Sequence, residues 1–506
     1  MIDKIIWIPM QKDLIQLIDY AIAQNLMQKD YINQAILKLS KVMEVDVFSY
    51  ETVESHDDIE LVLNRLLDTT GDQNLIQKIS IDERDAFEAK LFDCVMPSPT
   101  EVKEKFKKLY SLEPTKATDY LYKLSKDVNY IKTRRLEKNI HWVYSGTYGD
   151  LELTINLSKP EKDPREIALL KNKVILKETG KPLCVICKEN EQNYDNARMN
   201  LRIVPIILGD EVWHFQYSPY LYYPEHSIIL HDLHRPMKIG HQTFEYLLDF
   251  VDQFPTYFIG SNADLPIVGG SILNHDHFQG GKHHFPIEFA KEIRDFGKVS
   301  NVHVSHLFWP LSTIRLKSKN RDDLYHIATL FLDSWKVYQN EELDIIAFTN
   351  GVPHQTITPI LRKKDDFYEM DIILRNNRTS TKHPDGIFHP HDEVHHIKKE
   401  NIGLIEAMGL AILPGRLKSE LQQIEDYLRN KIEFPESLEK HKEWVQELRN
   451  SKKPIIDQNY LLEEVAKIFE KVIEHSGVFK LDKKGMHAMH QFILNVIKNL
   501  SSSMIK

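Results

Sequence analysis

The stretch GGSILNHDHFQGG, residues 269–281, decides the reading of this chain. Glycines stand in pairs at both ends, Gly269-Gly270 and Gly280-Gly281, and the middle carries two histidines and a glutamine at alternate positions. Successive side chains of an extended strand point to opposite faces. The spacing therefore predicts one face bearing His275, His277 and Gln279, with Asp276 and Phe278 on the other. Glycine lets backbone N–H groups approach an anion closely. Neutral imidazole is a good nucleophile toward phosphorus near pH 7, because its ordinary pKa lies close by. Gln279 can donate an amide hydrogen bond to a nonbridging phosphate oxygen. The pattern points to phosphoryl chemistry. For an isolated His-x-His, a histidine-rich turn held by structural hydrogen bonds is the competing reading.

Outward from this strand, the chain divides by pattern. Residues 1 to about 115 read as helical, with Ile15, Ile18, Ala21 and Ile22 at helical spacing. A helix start is expected at MPSPTEVKEKF, with Ser98 or Thr100 as N-cap. From about residue 140, short β-rich runs alternate with turns, and a hairpin is expected around Asp365-Asp366. QTFEYLLDFVDQF, residues 242–254, reads as an amphipathic helix between strands. After Pro414 the chain is helical again. This order, helical then mixed then helical, predicts an α+β fold. His389-Pro390-His391 echoes His275-Asp276-His277, either as the trace of a duplicated α+β unit or as coincidence in a chain of 24 histidines.

The bulk properties exclude several function classes. A net charge of −9 argues against a general nucleic-acid binder, which needs a basic surface, but leaves room for a small anionic ligand. The three cysteines, Cys94, Cys184 and Cys187, do not make a disulfide framework and fit a reducing cytoplasm. The first apolar run is too short for a signal peptide, and no stretch approaches 18 apolar residues, so no membrane association is expected. The stripe Val465, Ile468, Phe469 and Val472 reads as core or as subunit contact, which leaves a homodimer open.

Cys184-Val-Ile-Cys187 is the second chemical signal. Two thiolates at this spacing can reach one tetrahedral metal, and a redox pair is the alternative. KENEQNYDN follows, which gives no strand-then-helix context for a redox motif. One such pair needs two further ligands.

These residues resemble a known family. The strand at 269–281 is similar to the active-site strand of the histidine-triad superfamily. FIGSNADLPIVGGSILNHDHFQGG (258–281), KPEKDP (159–164) and HPDGIFHPHDEVHHIKKENIGLIEAMGLAILP (383–414) resemble the second bacterial class of galactose-1-phosphate uridylyltransferases. The likeness runs from about residue 120 to 420, and more loosely over the whole chain. It implies two histidine-triad-like antiparallel-sheet units at 116–300 and 301–415, between helical regions at 1–115 and 416–506. It implies His277 as nucleophile, with Gln279 on the transferred phosphate and His275 beside them. It implies the small-molecule substrates UDP-glucose and galactose 1-phosphate. An asparagine near Asn262 contacts the phosphate in the family; an Asx turn involving Asn262 and Asp264 is the alternative. Gly269, Gly270, Ser271 and Asn274 are further candidates for substrate contact.

The resemblance also bears on metal. His226, in YYPEHSIIL, resembles a metal histidine of the first class, and His275 maps onto another ligand. Structural zinc on Cys184, Cys187, His226 and His275 is therefore expected. The first class also binds a second metal, with a loose counterpart here among His354, His383, His389, His391, His395 and His396. The chain departs from the first class in having Asp276 and Phe278 where that class has Pro and Gly, and in its helical start. A dinucleoside polyphosphate phosphorylase sharing His277 and Gln279, or a non-catalytic nucleotide sensor, are the rival functions.

Overall fold

Helices occupy the chain from Lys4–Ala23 through Pro99–Tyr110 and Pro114–Asp127 to Thr133–Leu136 in a computed structural model of the protein. It describes residues 4–51, 57–69, 81–157, 182–193, 197–270, 272–451 and 457–503. Of the two expected caps, Ser98 starts the helix Pro99–Tyr110: its side chain accepts from the Glu101 N–H and Glu101 reaches back to the Ser98 N–H. Proline at the first helical position loses nothing, since that N–H has no partner inside the helix.

The strands are β1 (Ile140–Gly146), β2 (Gly149–Asn156), β3 (Val204–Leu208), β4 (Glu211–Tyr217), β5 (Ser227–His231), β6 (Phe258–Gly260), β7 (His277–Gly281) and β8 (Glu292–Val299). They continue as β9 (Val302–Leu307), β10 (Thr313–Ser318), β11 (Phe348–Thr349), β12 (Val352–Pro353), β13 (Gln355–Lys364), β14 (Phe367–Asn376) and β15 (Leu410–Pro414). Ten of them form one sheet in the order β3-β4-β5-β7-β6-β13-β14-β10-β9-β8.

This order is a duplication. In the first half, β3, β4 and β5 form a meander, the helix His241–Gln253 follows, and the pair β6, β7 returns with β7 beside β5. In the second half, β8, β9 and β10 form a meander, the helix Arg321–Val337 follows, and the pair β13, β14 returns with β14 beside β10. The halves meet edge to edge where Ile360 pairs with Gly260 and Arg362 with Phe258. The β13–β14 hairpin turns at Asp365, which takes φ +54° between the paired Lys364 and Phe367. The fold is thus α+β, built from two antiparallel-sheet units with the same connectivity. The second His-x-His is not the trace of that duplication: His389 and His391 lie beyond β14, not at its start.

Each face of the sheet is buried, by different parts of the chain. One face presents Trp213, Phe215, Ile259, Phe278, Ile314, Leu361 and Ile372 to the two crossover helices and, beyond them, to the N-terminal helices in one apolar cluster. The other face, with Phe258, Ile360 and Ile373, packs under Phe285–Ile287, residues 394–417 and the C-terminal helices. Val465, Ile468, Phe469 and Val472 of the helix Gln458–Ser476 belong to that second cluster, so the stripe is core within the chain. A separate sheet, β1-β2-β15, closes this side, with β15 parallel to β2.

The second face also carries charge. Arg315 on β10 lies opposite Asp371 on β14, and Nε and Nη2 reach the carboxylate at 2.6 and 2.9 Å. Arg362 on β13 reaches the same carboxylate at 2.7 Å and pairs with Glu369. All four residues are buried. Burial pushes the Asp371 carboxyl up, but the two guanidinium groups outweigh it and hold it below the usual carboxylate range. Stability from this group is therefore present above the ordinary carboxylate pKa and lost as pH falls through the lower folded value. Asp371→Ala removes the carboxylate that both arginines share and leaves Glu369 to pair with Arg362 while Arg315 loses its close partner, which should cost about 3–5 kcal/mol of unfolding free energy. Urea denaturation measures it, and a loss below about 1 kcal/mol would contradict this account of the face.

Candidate active site

The site forms where β7 begins, on the face away from the crossover helix. Phe278 turns toward that helix and stacks on Trp213, with ring centroids 4.9 Å apart. Asp276 accepts from Arg235 Nε at 3.1 Å. His277 and Gln279 face the other way, in the row that continues through Gly260 to Ile360 and Asp371. Gly260 is required there by close approach, since a Cβ would stand 2.8 Å from Leu404 of the second unit.

His277 is held in one tautomer. Its Nδ1–H donates to the backbone carbonyl of His275 at 2.8 Å. A carbonyl only accepts, so the proton is on Nδ1 and the lone pair on Nε2. Among the described residues no hydrogen bond engages that Nε2. Burial lowers the ring's pKa to about 4, more than the hydrogen bond to the carbonyl raises it. The ring is therefore neutral at ordinary pH, with a free lone pair, which is the form a nucleophile needs.

His275 is fixed from both sides of its ring. Nε2–H donates to the carbonyl of His231 at 2.9 Å, while Nδ1 stands 3.4 Å from Cys184 Sγ and 3.5 Å from Cys187 Sγ. The sulfurs are 3.5 Å apart, and His234 Nδ1 is 3.2 Å from Cys187 Sγ. These four donor atoms lie within 4.8 Å of one another. Ligands at 2.0–2.3 Å from one tetrahedral ion would be separated by about 3.3–3.8 Å. The donor set and its spacing fit a metal ion. The Cys-x-x-Cys turn is itself pinned, with Asn190 Nδ2 donating to the carbonyls of Cys184 and Cys187 at 2.9 Å each.

His226, expected as a ligand, is not in this group; His234 stands in its place. The reason is strand polarity. β5 runs antiparallel to β7, with Ser227 opposite Gly280 and Leu230 opposite His277. The residue before β5 therefore sits at the Gln279 end, and only residues beyond its C-terminal end reach His275. His226 donates from Nδ1 to the Tyr220 carbonyl at 2.9 Å, and its Nε2 lies 3.3 Å from the Gln279 amide. Local likeness of Pro-Glu-His-Ser concealed this. The position of His234 just past a strand that pairs with the His-x-His strand was the available signal.

The remaining candidates divide. Asn262 follows β6, and its Oδ1 accepts from the Leu404 N–H at 2.8 Å, tying the two units together. Asp264 accepts from the Ile239 N–H at 2.8 Å and from Thr356 Oγ1 at 2.5 Å. Gly269 and Gly270 are needed for packing: a Cβ on Gly269 would stand 2.5 Å from the Ala263 carbonyl, and one on Gly270 2.7 Å from Asn262 Nδ2. Asn274 is exposed at the entry to β7, and Ser271 lies outside the described residues.

The later histidines separate into several environments. His383, His391 and His475 stack, with centroids 4.1 and 4.4 Å apart, and His391, Glu393 and His475 form a second group able to hold a metal. His475 comes from the helix Gln458–Ser476 and was not foreseen. His389 contacts Asn401, His395 the Pro390 carbonyl, His396 the buried His441, and His354 Asn377.

Comparison with known proteins shows the family. Residues 18–236 match the family model for the N-terminal domain of galactose-1-phosphate uridyl transferase, and residues 250–446 the model for its C-terminal domain. The galactose-1-phosphate uridylyltransferase of Clostridium acetobutylicum is 46% identical, over 94% of this chain and 98% of that one. That of Bacillus subtilis is 42% identical, over 94% and 96%. A yeast Ap4A phosphorylase structure aligns at 11% identity with a TM-score of 0.35, over 74% of this chain and 97% of that one. The chain belongs to the galactose-1-phosphate uridylyltransferase family.

The cluster generates a prediction. His234→Ala should lower the metal content of the isolated protein, whereas His226→Ala should leave it near that of the unaltered chain. Elemental analysis decides it, and equal metal in both variants, or loss only with His226→Ala, would contradict the assignment.

Proposed function

We propose that this nucleotidyltransferase exchanges UMP between UDP-glucose and galactose 1-phosphate, with His277 Nε2 as the nucleophile. The observation that carries the reading is the buried, neutral His277 with Nδ1–H on the His275 carbonyl and Nε2 free. The Nε2 lone pair forms a bond to the α-phosphorus of UDP-glucose. The bond from that phosphorus to the bridging oxygen breaks, and glucose 1-phosphate leaves with the electron pair. The Nδ1 proton stays in place, and its hydrogen bond to the carbonyl stabilises positive charge developing on the ring. A phosphate oxygen of galactose 1-phosphate then attacks the same phosphorus and returns the pair to Nε2, giving UDP-galactose. Leaving and entering groups are phosphates of similar basicity, so neither half needs a strong acid or base. Positioning and charge neutralisation carry the catalysis.

Gln279 donates an amide N–H to a nonbridging oxygen of the transferred phosphoryl group. Gly269, Gly270 and Asn274 precede β7 and are the substrate contacts proposed there, with Ser271 a candidate by its place in the sequence; Asn262 lies close to Gly270, where a Cβ would stand 2.7 Å from its Nδ2. The expected metal is zinc, held by Cys184, Cys187, His234 and His275. With four protein donors the ion would supply anchorage for the His275 segment, from whose carbonyl His277 hangs. Unpaired thiols at Cys94, Cys184 and Cys187 support a cytoplasmic location.

The variants test the roles. His277→Ala should abolish UMP transfer in both directions. Gln279→Ala should slow it by the loss of one phosphate donor, about 2–4 kcal/mol in the barrier. Assays with UDP-glucose and with diadenosine tetraphosphate in parallel separate the proposed reaction from phosphorolysis. Turnover of diadenosine tetraphosphate alone, UDP binding without turnover, or near-normal transfer by His277→Ala would overturn the proposal.

A further inference from the structure

His226 is too well held for a residue with no task. It precedes β5 and is buried, with the Tyr223 ring 4.6 Å away and the Tyr222 ring 5.4 Å away. It shares the face of Ile228, and Ile228 pairs directly with Gln279. The carbonyl of Tyr220, 2.9 Å from Nδ1, can only accept, so Nδ1 carries a proton. Burial lowers this ring's pKa to about 4, so it is neutral and Nε2 is an acceptor. The atom of the Gln279 amide nearest that acceptor is Oε1, at 3.3 Å. Two acceptors cannot share a hydrogen bond, and a half-turn of the amide interchanges its two ends, so the hydrogen-bond network turns the NH2 toward the ring. Among the described residues this is the one hydrogen bond made by the Gln279 side chain.

We propose that His226 is a positioning residue: its ring takes one N–H of Gln279 and thereby aims the other at the phosphoryl group attacked by His277. The proposal rests on the reading of His277 and Gln279 as the reacting pair. An amide NH2 has two hydrogens about 120° apart, so engaging one fixes the direction of the other. With the amide reversed, its carbonyl oxygen would face an anionic phosphate and repel it. The histidine therefore selects the productive rotamer without touching the substrate, and its effect should appear in kcat more than in KM.

Two substitutions separate this role from a structural one. His226→Asn keeps a group at the Nδ1 position for the Tyr220 carbonyl but cannot reach Gln279. His226→Gln places an amide oxygen near the Nε2 position, where it can accept the same N–H. Steady-state kinetics of the metal-loaded protein with UDP-glucose and galactose 1-phosphate are compared for the unaltered chain, H226N, H226Q, Q279A and H226N/Q279A, with melting temperatures alongside. H226N should lower kcat about tenfold or more. H226Q should recover most of that loss. The double variant should be no slower than Q279A to within about threefold, because residues acting as one unit are not additive. Losses that multiply in the double variant, or H226Q no better than H226N, would overturn the proposal. If a variant unfolds, the other still decides, because rates that follow melting temperature across the set would also overturn it. An unaltered chain unable to transfer UMP from UDP-glucose would instead overturn the underlying reading, and the proposal with it.

Discussion

The site depends on one hydrogen bond, from His277 Nδ1–H to the backbone carbonyl of His275. It fixes the proton on Nδ1, and so leaves Nε2 as the nitrogen with the lone pair that the proposed attack uses. Its acceptor is as constrained as its donor. The His275 ring is gripped by the His231 carbonyl on one side and faces two cysteine sulfurs on the other. The backbone of Asp276 pairs with Arg235 and His231. A carbonyl anchored by so many contacts cannot drift, which is the condition for a nucleophile whose task is accurate placement rather than acid or base strength.

The duplicated sheet explains how one such strand is supported. Each unit has a face covered by its crossover helix and a face turned to the other core. In the first unit that second face carries His277 and Gln279; in the second it carries the buried Arg315, Asp371, Arg362 and Glu369. Both lie in continuous rows of the same ten strands, joined at β6 and β13. The first unit thus carries the proposed reacting residues, and the second supplies a charge-paired continuation of the sheet. Segments of the second unit also return to the first, as Leu404 does on Asn262 and over Gly260.

Much of this was legible in the sequence. Alternation placed His277 and Gln279 on one face, opposite Phe278, because side-chain direction in a strand is a local property, while His275 lies just before the strand. The helical ends, the hairpin at Asp365 and the cap at Ser98 were readable for the same reason. Strand pairing is not local. His226 and His234 stand at opposite ends of β5, and only the antiparallel register with β7 tells which of them reaches the cysteines. The echo of His-x-His at 389–391 pointed to a real duplication from the wrong residues: the topology repeats, but β14, which matches β7 in order, carries no histidine and turns Glu369 and Asp371 to the same face. His475 joined His391 across a long stretch of chain, which no spacing rule anticipates.

The most direct measurement is the chemical form of the intermediate. The protein is incubated with UDP-glucose alone, quenched in alkali, and its nucleotidylated histidine is identified by mass spectrometry of peptides and by the phosphorus resonance that distinguishes the two ring nitrogens. The account predicts UMP on His277, attached through Nε2, labile to acid and discharged by galactose 1-phosphate. Attachment through Nδ1, attachment to another residue, or no adduct under single-turnover conditions would contradict it.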